Sequence, residues 1–182
     1  MRFGLTDIVM GMINVYIAIA TAVAVAAVMA MLWTFIVSMI RRQYDKLGCC
    51  LLPSLLCVVI AAASWVFNAG FMRLLMTVLG VPHWHAAFFL TYNIQASAYL
   101  KKSSQIKRYI WLNCLFYTGA YLLFPDIDNV RSYFFFGLIQ IDWLNMIMAY
   151  LAVACLIIHL IMMSRLRALR KTLQAEEKAN MG

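Results

Sequence analysis

Asp142, Asn145, Ala149, Ala152, Leu156 and His159 recur at alternating steps of three and four, so a helix through them carries all six on one face. Two of the six, a carboxylate and an imidazole, can exchange protons. Ionisable groups inside a membrane are costly and usually face a bundle interior or a water path. One reading is therefore a proton relay from Asp142 to His159. The alanines and leucine between them carry no protons, so the relay needs polar residues from elsewhere. The segment TYNIQAS offers Asn93, Gln95, Tyr92 and Ser97, and the segment after it offers Asn113, Tyr117 and Tyr121. The other reading is structural. Asp142 beside Trp143 suits the N-cap of a membrane helix at an interface, and the remaining polar groups tie helices together by hydrogen bonds. If the last span ends at Arg165, counting back about 20 residues reaches Asp142 and Trp143, which favours the structural reading.

The stretch VPHWH holds His83 and His85. Two histidines two apart point to different sides of a helix, and a metal site needs three or four converging ligands. His83 and His85 are expected at an outer boundary and His159 near the opposite face, which leaves no matched pair of axial ligands for a haem. No cofactor or metal is expected. Cys49, Cys50, Cys57, Cys114 and Cys155 form no CxxC pair and read as small packing residues. Cys49 and Cys50 lie at a membrane edge, where S-acylation is conceivable. There is no Walker loop, dinucleotide fingerprint, G-x-S-x-G or HExxH. The chain is not expected to be an enzyme.

These residues must be held by membrane helices. Of 182 residues, 65% are hydrophobic and 12% charged, against about 45–50% and 25% in soluble domains. Apolar stretches run at about 12–40, 49–70, 81–100, 109–124 and 134–163. The first is too long for the h-region of a signal peptide and reads as a retained span. An all-α bundle of five transmembrane helices follows, with four as the alternative.

Orientation comes from charge. Twelve of the fifteen Lys and Arg fall in three segments: Arg41 to Lys46, Lys101 to Arg108, and Arg165 to Lys178. Five crossings put all three on one side, and basic residues are retained in the cytoplasm. The N-terminus is then outside and the C-terminus cytoplasmic. The expected domains are a polytopic region, 1–164, and a basic cytoplasmic tail, 165–182. The formal charge of +8 becomes a collar for anionic lipid headgroups. A nucleic-acid partner would need a folded basic domain, which this sequence lacks.

Ala18, Ala22, Ala26 and Ala30 form a small-residue ladder along the first span. Such ladders let helices approach closely. The partner is either another span of the chain or the same span of a second copy. Size and the lack of catalytic motifs point to a multi-pass interaction or regulatory protein of the bacterial inner membrane, of the exclusion, immunity or phage-defence type. It would act as a homo-oligomer or by docking onto another membrane protein. The alternative is a small channel or transporter with a polar path through spans three to five.

Overall fold

The computed structural model describes residues 5–67, 76–123 and 143–180. Every regular element among them is helical. Helix α1 spans Leu5–Ile40. Helix α2 begins at Tyr44–Lys46, passes through a π-helical turn at Leu47–Leu51 and continues over Leu52–Phe67. Helices α3, α4 and α5 span Val81–Ser97, Ser104–Leu122 and Trp143–Ala179. Three of these are long and apolar enough to cross a membrane, over Thr6–Ile40, Tyr44–Val66 and Ile147–Ala179. At 1.5 Å per residue the 17-residue α3 and the 19-residue α4 are about 26 and 28 Å long.

Local chemistry sets the breaks. The α1–α2 turn closes with Arg42 N–H donating to Met39 O and Gln43 N–H to Ser38 O. This is the paired closure of a Schellman motif. Arg42 takes its left-handed position with φ 52°. The π turn lies just before Pro53, whose ring would press on the carbonyl four residues back in a regular helix. A wider turn relieves that pressure. Helix α3 starts at Gly80, with φ 68°, and carries Pro82 in its first turn, where the missing N–H leaves no bond unmade.

Cross-helix contacts give the topology. The Tyr16 hydroxyl donates to Leu79 O at 2.7 Å and accepts from Trp84 Nε1–H at 3.1 Å, which fixes the upper part of α1 to the start of α3. Cys50 meets Asn93 while Ser64 donates to Tyr121 O, so α2 runs against α3 and along α4. His85 faces Tyr121 and Phe89 faces Tyr117, so α3 and α4 are antiparallel. Asn113 O meets His159, and Lys102 pairs with Glu177 at 2.8 Å, so α5 returns along α4. Successive helices thus alternate in direction. The basic turn after α1, the basic turn after α3 and the basic half of α5 gather at one end.

Helix α5 runs unbroken through Arg165 to Ala179. Its basic half is therefore helical and packed. Leu166 is fully buried, and Leu169 and Leu173 join it in an apolar cluster that includes Leu100 and Ile106. The face of α1 turned to the bundle carries Ala20, Ala27, Met31 and Ser38, all buried. Gly80 approaches that face so closely that a Cβ on it would lie 3.2 Å from the Ala20 Cβ.

Candidate functional site

The centre of the bundle, where α2, α3, α4 and α5 meet, holds polar and aromatic side chains rather than a plain apolar core. His159 and Asn93 and Asn113 are fully buried, as is Ser54, and His85 and Tyr117 are nearly so.

Its upper layer is aromatic. The rings of Phe89 and Tyr117 stack with centroids 4.2 Å apart and planes at 5°. The rings of His85 and His159 meet edge to face at 4.8 Å. Tyr117 lies 4.8 Å from His85 and 5.1 Å from Tyr121. Two hydrogen bonds orient the imidazoles. His85 Nδ1 is 3.1 Å from the Tyr121 hydroxyl, and His159 Nδ1 is 3.2 Å from Asn113 O. A carbonyl only accepts, so in that bond Nδ1 of His159 is the donor. Its Nε2 faces the interior with no protein partner, and the same holds for His85 Nε2.

The lower layer is a mesh of short polar groups. Asn93 Nδ2 donates to Ser54 Oγ at 2.9 Å, and Ser54 Oγ donates to Cys50 O at 2.7 Å. The Cys50 thiol donates to Asn93 O at 3.3 Å, and the Cys57 thiol to Cys114 O at 3.6 Å. All five cysteines are free thiols. Cys50, Cys57 and Cys114 act as weak donors and fillers between helices, the use expected of small soft side chains.

Among the residues singled out from spacing, the structure unites His159, Asn93 and Asn113 with Tyr117 and Tyr121 in this interior. Gln95 is exposed. Asp142 lies outside the described residues, and Asn145 is described only as part of the α5 backbone. Ala18, Ala22, Ala26 and Ala30 are exposed, on the face of α1 opposite Ala20 and Ala27. Among the described residues no other helix buries that ladder.

One expectation is corrected. His85 and His159 do not sit at opposite depths: their rings touch. Arg165 marks no helix end, because α5 continues to Ala179, and His159 packs at the level of Asn113 and His85. His85 lies in the second turn of α3, opposite Tyr121 in the last turn of α4. His85 was missed as a core residue because VPHWH reads as a boundary. The helical start signal at Gly80–Pro82 was the cue that it belongs inside α3. A pair of histidines is still short of the three ligands that hold a metal, and no group of three His, Cys, Asp or Glu converges among the described residues.

Beside this interior lies a cavity of about 440 Å³ between α1, α2 and α3. His83 lines it, on the side of α3 away from His85, together with Trp65, Tyr117 and Tyr121. A smaller space of about 80 Å³ lies behind Trp65 and Pro82, against His85 and Ala152.

Comparison with protein-family models, curated proteins and solved structures finds no match to this chain.

Proposed function

We propose that the protein is a small polytopic membrane interaction or regulatory protein, which works by associating with a second copy of itself along the outer face of α1. One observation carries this reading. The Ala18–Ala22–Ala26–Ala30 ladder faces away from the bundle, while different alanines, Ala20 and Ala27, pack inside it. Between helices in lipid, close approach of small residues replaces the hydrophobic drive available in water. A ladder left outside the monomer is suited to a partner helix.

The proposal includes five crossings, an outside N-terminus and a cytoplasmic C-terminus in a bacterial inner membrane. The alternating helices and the single basic end support it, since basic segments are retained in the cytoplasm. Helices α3 and α4 are close to the roughly 30 Å of hydrocarbon they would cross. Anionic headgroups are the proposed partners of the basic end.

Single-molecule photobleaching of the labelled full chain in lipid bilayers tests association. Two-step traces are expected, and Ala22→Leu with Ala26→Leu should convert them to single steps. Single steps from the unaltered chain would overturn the reading.

A second reading, a small transporter or channel through α3, α4 and α5, is favoured by a separate observation. His85 Nε2, His159 Nε2, Asn93 Oδ1, Thr118 Oγ1 and both side-chain polar atoms of Asn113 are buried without protein partners. Unmade hydrogen bonds of this kind cost about 1–3 kcal/mol each, and a polar guest would relieve them. Proton and cation flux in reconstituted liposomes separates the two readings.

A further inference from the structure

The cavity between α1, α2 and α3 has features that the association surface and the polar interior do not explain. It measures about 440 Å³, inside the roughly 300–1,000 Å³ range of small-molecule sites. Two of its walls, α1 and α2, are helices long and apolar enough to span a membrane. Val25, Met29 and Val66 line it and are themselves 55%, 60% and 66% exposed. Its mouth is therefore apolar and opens sideways between α1 and α2, toward lipid.

The lining restricts the occupant. Among the described residues no Lys, Arg, Asp or Glu contributes to it, so a phosphate or carboxylate headgroup would meet no counter-charge from them, at a high cost in a low dielectric. Trp65, Tyr117 and Tyr121 supply three aromatic rings, which favour a flat ring by stacking or edge contact. His83 lines the cavity, and its Nδ1 is buried without a protein partner. An imidazole nitrogen donates to a carbonyl or accepts from a hydroxyl, according to its tautomer. A plain acyl chain would satisfy neither the rings nor this nitrogen.

We infer that this cavity binds an uncharged, ring-headed, lipid-phase molecule of the isoprenoid quinone or quinol class. The ring lies among Trp65, Tyr117 and Tyr121, a ring oxygen pairs with His83 Nδ1, and the tail leaves past Val25 and Val66 into the bilayer. On α1 the mouth residues Val25 and Met29 adjoin the alanine ladder, so binding at this site and self-association are read by separate measurements.

Trp65 provides an internal reporter, because a bound quinone quenches the emission of an adjacent indole. The full chain in phosphatidylcholine nanodiscs is titrated with decylubiquinone while tryptophan emission is followed. Saturable quenching is expected, and Trp65→Phe should remove the saturable part, since Trp33, Trp84 and Trp111 do not line the cavity. His83→Leu removes the hydrogen bond and should raise the half-saturation concentration about tenfold. Ala86→Phe fills the cavity and should abolish saturation. Where Ala86→Phe does not fold, His83→Leu decides alone. Quenching that rises linearly and equally in all variants means simple partitioning and overturns the site. Full competition by decanol, which has the chain and no ring, means an alkyl-chain groove and overturns it equally.

Discussion

The imidazoles of His85 and His159 meet edge to face, with centroids 4.8 Å apart and planes at 76°. Each is oriented at Nδ1 by a different neighbour, Tyr121 for one and an α4 backbone carbonyl for the other. The pair therefore links α3, α4 and α5 at a single level. Ring packing is the main contribution, because the Asn113 carbonyl sits in a helix and has a backbone partner as well. His159→Phe keeps the ring and should cost less than about 1.5 kcal/mol. His159→Ala leaves a void at a fully buried site and should cost about 2–4 kcal/mol. Unfolding in mixed micelles measures both. Equal losses would mean that the hydrogen bond, not the ring, carries the link.

Gly119 sets how closely α4 approaches α5. A Cβ there would lie 3.2 Å from Cys155 Sγ. Gly119→Ala gains about 0.5–1 kcal/mol of helix propensity and loses a similar amount to this crowding, so it should be near neutral alone. With Cys155→Ala in the background the crowding is gone and the gain should appear. Gly119→Leu overpacks the seam and should cost about 1–3 kcal/mol. The cycle is read by thermal unfolding in detergent. A gain from Gly119→Ala that is the same with and without Cys155 would show that the two helices yield freely.

Arg42 closes α1 in the left-handed region at φ 52°, where a side chain costs about 1–2 kcal/mol. Arg42→Gly should therefore stabilise the protein by about 1 kcal/mol. Arg41→Gly, at the preceding position, removes an equal charge without relieving a positive φ and should give no gain. Equal shifts in unfolding midpoint for the two variants would assign the effect to charge.

The proposed five-span arrangement predicts that a reporter fused after Gly182 reads cytoplasmic and one inserted near Asn129 reads external. Replacing Lys101, Lys102, Lys107 and Arg108 by Gln should weaken this preference, because these residues anchor the turn between α3 and α4. A cytoplasmic signal at Asn129 would eliminate the five-span arrangement.

Much of the helical order was legible in the sequence. The apolar stretches at 12–40, 49–70, 81–100 and 109–124 correspond to α1 through α4, and the basic segments mark the end at which the bundle turns. Hydropathy reads such elements well because a lipid-facing helix shows its apolar side chains all round. The depth of His159 was not legible. An amphipathic extension past Arg165 looks like a tail until Leu166, Leu169 and Leu173 are seen to bury against the neighbouring turn. Nor does the sequence say which alanines pack inside. Ala20, Ala24 and Ala27 offer as small a surface as Ala18, Ala22 and Ala26, so the choice of face is made by Gly80 and the start of α3.

That choice of face gives the most discriminating experiment. Ala20 is fully buried beneath Gly80 and Ala27 is nearly so, whereas Ala22 and Ala26 point outward on the same helix. Leucine at Ala20 or Ala27 must push α1 off α3, and overpacking of this kind costs about 1–3 kcal/mol per site. Leucine at Ala22 or Ala26 meets lipid in a monomer and should leave the unfolding midpoint of the dilute, detergent-solubilised chain within about 0.5 kcal/mol of the parent. In a bilayer, where copies meet, the order should reverse. Ala22→Leu and Ala26→Leu should reduce self-association, while Ala20→Leu should do so only through loss of folded protein. Stability in dilute detergent and association in bilayers are thus read on the same four variants. If all four lower stability alike, α1 has no free face and its ladder belongs to the monomer. If none alters association, the ladder is an ordinary lipid-facing surface and the proposed mode of action fails.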